Sequence, residues 1–331
     1  MKEKLLSELN LLRSNQFQKD QKSENFLQEL NEALLTFEGQ LSSGVEPEKS
    51  QHPLIFVFGC PRSGTTLTTQ VIARYLKVGY INNLSARFWK APTVGVRLAK
   101  QFLGTESSVE TSSNFGQTPG LGNVHDFGYF WRQWLRMDNV DSACEVDKER
   151  ELIPWEELVR TMVSLKSEFE SPLLMKNILG AHHFEALNSH LGPIIWVNIR
   201  RNETDNALSI MNAREKFYGN RETWWSCAPP EYHELVDLPW AKQIAGQVHH
   251  LNRFYDSLHQ LPLSERIINF DYEDLCRSPE DLLTQIVGKS RDLFDSEILL
   301  SEEPVSPLEM RDYGGHKNRG EIEEALKSFI K

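Results

Sequence analysis

Leu54–Leu67 reads LIFVFGCPRSGTTL. A run of apolar residues from Leu54 to Phe58 stops at Gly59. A compact Gly/Pro/Ser/Thr turn follows, and Leu67, Val71 and Ile72 then recur at helical spacing. The order is strand, tight loop, helix. Such a loop aims backbone N–H groups and hydroxyls at whatever lies above the helix N-terminus, where the dipole favours an anion. Ser63, Gly64, Thr65 and Thr66 are the donors there, and Arg62 is the only strong cation in the loop.

Further apolar runs follow this unit along the chain. Val78–Ile81, Leu173–Lys176, Ile194–Arg200 and Arg266–Asp271 read as strands, and helical patterns separate several of them. The clearest helix runs from about Leu238 to Leu261, with Ile244, Val248, Leu251, Phe254 and Leu258 on one face. Ser278-Pro279-Glu280 is a helix start, with a hydroxyl cap and proline in the first turn. Near-continuous apolar strands alternating with helices predict an α/β chain: a three-layer, P-loop-like fold with a central parallel sheet of about five strands flanked by helices. Ligands of such sheets bind beyond the carboxyl ends of the strands. Loop 59–66, Lys176-Asn177, Arg200-Arg201 and Asp271-Tyr272 all lie at such ends.

Residues 1–50 stand apart, rich in Gln, Asn, Glu, Lys and Ser. Leu27, Leu30, Leu34, Phe37 and Leu41 give a helix with one apolar face, and Leu5, Leu9 and Leu12 hint at an earlier one. A helical N-terminal extension packed on the main domain is expected, with a contact to a second copy as the alternative. Ser42–His52 reads as a linker to the domain spanning 51–331. Within that domain, residues 82–170 form a long insertion on the ligand side, with Gly/Ser/Thr-rich loops and an aromatic stretch.

The chain has 331 residues, 40% of them apolar, which is ample for a core. Its net charge of −11 argues against general nucleic-acid binding, though not against a local basic pocket. The four cysteines have no metal-ligand spacing and no CxxC pair, as in a reducing compartment. The first 20 residues are too polar for a secretory leader, and no apolar stretch is long enough to cross a bilayer. A cytoplasmic protein without a membrane or metal partner is expected.

Gly59, Gly64 and Thr66 have Walker A spacing, but Thr65 occupies the place of the lysine that reaches the β- and γ-phosphates of ATP. A nucleotide held here would be gripped by its 5′-phosphate without a triphosphate clamp. The fourth strand delivers Arg200 and Arg201 to the sheet end, and Ser209 follows about two helical turns later. A guanidinium and a hydroxyl can converge there on a second phosphate. CPRSGTTL resembles the 5′-phosphosulfate loop of the sulfotransferase family. Arg201 with Ser209 matches that family's 3′-phosphate spacing, and Phe270–Leu275 with Ser278-Pro279 is similar to its recurrent "YEDL…P" segment. The resemblance covers roughly residues 52–290 and leans to carbohydrate-type and bacterial members, since Leu67 stands where cytosolic members commonly carry an adenine-stacking Trp.

The resemblance implies a transferase that uses 3′-phosphoadenosine 5′-phosphosulfate (PAPS) and releases PAP, with a small-molecule or carbohydrate acceptor. Arg62 falls on the family's catalytic Lys/Arg position, where a cation stabilises charge on the oxygen bridging sulfur and phosphorus. Ser63, Gly64, Thr65 and Thr66 would hold the 5′-phosphate, and Arg201 and Ser209 the 3′-phosphate. The C-terminal Arg/Lys-Gly segment has its counterpart near Tyr313–Gly320, with Arg311, Lys317 and Arg319 as candidates and Arg319-Gly320 ranked first. Lys176 could add to the positive field. The acceptor's proton needs a base. His125-Asp126 leads the aromatic run HDFGYFWRQWL, and the two are close candidates, with His125 preferred for its near-neutral pKa. His182-His183 is a distant alternative. Two other classes remain: a degenerate P-loop kinase or NTPase with Asp271 as its Walker B residue, and a non-catalytic nucleotide-binding protein.

Overall fold

In the computed structural model, residues 10–43, 52–104, 109–112 and 116–329 are described. Five strands, β1 (Leu54–Phe58), β2 (Gly79–Tyr80), β3 (Leu173–Lys176), β4 (Ile194–Arg200) and β5 (Ile267–Asp271), form one sheet in the order β2-β3-β1-β4-β5. Every pairing is parallel, with Leu54 opposite both Leu173 and Ile194, and Arg200 opposite Asp271. The expected α/β sheet is therefore present. β1, β3 and β4 match the sequence boundaries, β5 begins one residue later, and β2 keeps only its middle two residues.

The helices used below are α1 (Gln21–Ser43), α2 (Thr65–Tyr75), α3 (Pro92–Leu103), α4 (Gly128–Leu135), α5 (Trp155–Ser167), α6 (Phe184–Leu191), α7 (Glu203–Tyr218), α8 (Trp240–Ser257), α9 (Tyr272–Arg277), α10 (Pro279–Phe294) and α11 (Arg319–Lys327). β1 explains the layering. Leu54, Phe56 and Phe58 face one core with Trp131, Trp196, Ile244, Val248 and Leu251. Ile55 and Val57 face the other, with Val71, Ile72, Leu282, Leu283 and Ile286. All five β1 side chains are fully buried, each stabilising by about 1.5–3 kcal/mol, so the strand that carries loop 59–66 is firmly anchored. Phe254 is the least covered of the residues expected on the buried face of α8. The Ser278 hydroxyl makes no capping hydrogen bond to α10; the proline in its first turn is present as expected.

α1 packs within the chain. Its N-terminus is capped by Asp20, whose carboxylate accepts from Ser23 N at 2.9 Å. Leu27, Leu30, Leu34 and Leu41 are half-buried and Phe37 is exposed, whereas Asn31, Glu38 and Ser42 are buried. Asn31 donates to Arg87 O and accepts from Lys90 N, both at 2.8 Å. Glu38 accepts from Thr93 N at 2.9 Å and Val94 N at 3.2 Å. α3 has no side-chain cap of its own at Ala91, so Glu38 supplies a negative charge and two acceptors to its N-terminus. Leu5, Leu9 and most of the expected linker lie outside the described residues.

Candidate active site

Loop 59–64 turns sharply because two glycines permit it. A Cβ on Gly59, at φ +151°, would sit 2.4 Å from Ile199 O, and one on Gly64, at φ +113°, 2.6 Å from the Tyr272 ring. The loop's carbonyls are tied back into the protein. Asn206 of α7 donates to Pro61 O at 2.6 Å, Tyr255 of α8 to Gly59 O at 3.4 Å, and Arg201 to Arg62 O at 3.3 Å. Ser63 N reaches Cys60 O at 3.0 Å. The first-turn N–H groups of α2 have no intrahelical acceptor and point out of its N-terminus. The Ser63 hydroxyl is buried with no hydrogen-bond partner among the described residues.

Arg62 adopts φ 69°, and burial pushes its guanidinium down to about 10. Its Nε donates to Ser209 Oγ at 3.2 Å, so the loop arginine and the β4-side serine meet in one corner. Arg201 closes that corner. It lies 4.4 Å over the Tyr272 ring and 5.4 Å from that of Tyr313, and one of its Nη groups donates to Arg311 O at 2.5 Å. Its Nε is buried without a partner among the described residues. Tyr272 ties three segments together: it floors Gly64, stacks on Arg201, and accepts from Arg311 N at 3.1 Å.

On the other side, Lys176 at the end of β3 donates to Thr66 Oγ1 at 3.1 Å and stands 3.8 Å from Asp126 Oδ2. Burial lowers its pKa, with Asp126 opposing the shift. Burial pushes the Asp126 carboxyl up, but the charges of Lys176, His125 and Arg132 outweigh it and hold it below its ordinary value. Burial also lowers His125, helped by Lys176 and Arg87 and opposed by Asp126. The His125 Nδ1 accepts from Phe127 N at 2.9 Å, so the neutral ring carries its proton on Nε2. The remaining lone pairs of the pair are therefore those of Asp126.

The structure thus brings Arg62, Ser63, Gly64, Thr65, Thr66, Arg201 and Ser209 together, and links them through Lys176 to Asp126 and His125. Arg319 instead pairs with Asp205 at 2.7 Å and Glu323 at 2.9 Å, and Gly320 is exposed in the first turn of α11. From the C-terminal segment, Arg311 meets Arg201 through its backbone carbonyl and Tyr313 through its ring. The aromatic run is largely core and not an acceptor wall: Phe127, Phe130 and Trp131 are buried, and only Tyr129 and Trp134 keep partial exposure. The reason is geometric, since their helix covers the Phe56 and Trp196 face of the sheet. His182 and His183 are buried in the turn before α6, with burial pushing them down to about 4 and about 3. Among the described residues no three His, Cys, Asp or Glu side chains are grouped to hold a metal ion. Beyond Arg201, a cavity of about 580 Å³ opens over the ends of β4 and β5, lined by Arg200, Arg201 and Arg277 together with Glu203, Asp256, Asp271, Glu273 and Asp274. Tyr272 is the site residue whose role the sequence did not assign; its position at a strand end opposite the loop was the available signal.

A parallel sheet of this order, with a strand–turn–helix loop at its centre, is an α/β scaffold with helices on both faces. The model of the sulfotransferase family matches residues 53–289, and the chain belongs to that family. Among solved structures, sulfotransferase STF9 from Mycobacterium avium aligns with a TM-score of 0.51 at 11% identity, covering 91% of this chain and 80% of that one. STF1 from Mycobacterium tuberculosis H37Rv aligns with a TM-score of 0.46 at 15% identity, over 87% of this chain and 81% of that one. The first of these shares the fold. No curated protein matches the chain. No helix among the described residues is long and apolar enough to cross a membrane.

Proposed function

We propose that this chain transfers a sulfuryl group from PAPS to a hydroxyl or amine of a small-molecule or carbohydrate acceptor. The observation that carries the reading is the pair of buried donors without partners among the described residues, Ser63 Oγ next to Arg62 in the loop and Nε of Arg201, whose Nη1 bonds the Arg62 carbonyl. Burying a polar group unpaired costs about 1–3 kcal/mol, which a bound phosphate at each end would offset. Ser63, Thr65, Thr66 and the α2 N-terminus would hold the 5′-phosphate, and Arg201, Ser209 and the Tyr272 ring would position the 3′-phosphoadenosine half. When bound, PAPS supplies the activated sulfuryl group. Arg62 and Lys176 place positive charge where the leaving oxygen develops its negative charge.

Asp126 takes the acceptor's proton in this reading. Its carboxylate is ionised, half-exposed and carries open lone pairs, while His125 offers an N–H at Nε2 that can orient the acceptor oxygen. The kinase alternative is disfavoured by Thr65 in place of the loop lysine and by Lys176 on the Thr66 hydroxyl. Titration calorimetry with PAP and with ATP plus magnesium tests the assignment. Tight binding of PAP alone is expected, and preference for magnesium-ATP would overturn it.

A further inference from the structure

The segment preceding α1 is docked beside the His125–Asp126 pair. Ser14 bonds Phe217 O at 2.7 Å and Lys216 O at 2.9 Å, and Phe17 stacks on Phe217 at 4.1 Å. This places Lys19 over the Tyr129 ring at 4.4 Å, with its ammonium bonded to the Tyr129 hydroxyl and, at 2.8 Å, to Glu24. Tyr129 is on α4, four residues after His125, and Trp89 packs on it at 4.8 Å. Arg87, just before Trp89, is fixed by the Asn31 contact to its carbonyl. Arg132 lies one turn further along α4.

Lys19 and Arg87 lie near His125 and Arg132 near Asp126, while Arg13 lies beside Lys19. The charges of Arg87 and Lys19 reach His125, that of Arg132 reaches Asp126, and Arg13 and Arg87 both bear on Lys19. Among the nearby carboxylates, Glu24 is bonded to Lys19, Asp20 accepts from Ser23, Glu32 pairs with Lys90, and Asp126 is the candidate base. Arg87 and Arg132 are exposed and form no ion pair with a described carboxylate, and Arg13 Nε is buried without a described partner. A chain of net charge −11 has thus gathered a surplus of cations at one edge of its reaction site. Like charges held together repel, and an anion placed among them relieves that repulsion.

We propose that the acceptor carries an anionic group, a carboxylate, phosphate or sulfate, received by Arg87, Arg132 and Arg13 while its hydroxyl meets Asp126. This rests on the sulfotransferase reading above and narrows its acceptor class. It also gives the N-terminal segment a part in specificity, because that segment contributes Arg13 and Lys19.

The test uses matched acceptors with PAPS: 4-hydroxyphenylacetate against 4-hydroxyphenylacetamide, and phenyl β-glucuronide against phenyl β-glucoside. kcat/KM is measured for the full chain and for the Arg87→Gln/Arg132→Gln double variant, with PAP affinity as the check on folding. The carboxylate member of each pair should be favoured by about tenfold or more, and the double variant should lose most of that preference while still binding PAP. Equal or better use of the neutral members, a preference that survives in the variant, or no transfer to any member by a protein that binds PAP would each overturn the proposal. Failure of the unmodified chain to bind PAP would instead remove the donor assignment beneath it.

Discussion

Replacing Arg201 with alanine separates the two ends of the proposed donor. A guanidinium has five N–H donors. In Arg201, one on each Nη is committed to a backbone carbonyl, Arg62 O at 3.3 Å and Arg311 O at 2.5 Å, and the buried Nε has no described partner. The remaining protons form a fork that can reach one phosphate. A charge-assisted hydrogen bond contributes about 1.5–3 kcal/mol, so losing the fork should cost PAP about 3 kcal/mol, roughly 150-fold in Kd. Adenosine 5′-monophosphate has no 3′-phosphate. It would lose only the support that Arg201 gives the loop through Arg62 O, about 1 kcal/mol or roughly fivefold. Calorimetric titration of both ligands into both proteins yields the ratio of losses, expected near 30. Equal losses for the two nucleotides would refute a 3′-phosphate role for Arg201 and leave it as a brace for the loop.

Arg62→Ala should abolish transfer while leaving the denaturation midpoint close to that of the parent; wild-type turnover in that variant would remove Arg62 from the chemistry. The two base candidates differ in their pH profiles. The Asp126 carboxyl is held below its ordinary value, so its ionised form persists across pH 5–8 and the single-turnover rate should be flat there. A rate that falls on the acid side between pH 5 and 6.5, and that is lost in His125→Ala more than in Asp126→Asn, would return the role to His125. Glu38→Ala removes two buried backbone contacts from the start of α3 and should destabilise the fold by about 2–4 kcal/mol in urea unfolding, while a change under about 0.5 kcal/mol would mean that water replaces the carboxylate there.

What the sequence revealed follows from how burial is written into it. Leu54–Phe58 and Ile194–Arg200 sit in the middle of the sheet, covered on both faces, so their apolar runs are broken before the strand end only at Asn198 and are followed by Gly59 and by Arg201-Asn202. The turn at 59–66 was legible because its Gly, Ser and Thr residues are consecutive in the chain. The strand order was not, because parallel pairing leaves no mark at the level of single residues. Neither was the anchoring face of α1, since Asn31 and Glu38 hold it through carbonyls and amides and a hydrophobic pattern cannot register them. Phe127, Phe130 and Trp131 misled for the opposite reason: an aromatic run reads the same whether it faces a ligand or a core. The Lys176–Asp126 and Arg201–Tyr272 contacts join residues 50 or more positions apart, which no local spacing encodes.

The ammonium of Lys176 on the Thr66 hydroxyl has a consequence for how such chains diverge. In a Walker A loop that hydroxyl is the ligand offered to magnesium, and here it accepts a hydrogen bond from the Lys176 ammonium instead. Introducing a lysine at Thr65 alone would crowd two ammonium groups around one oxygen, and deleting Lys176 alone would remove one of the cations beside the loop. Exchanging one loop chemistry for the other therefore calls for changes at both positions together.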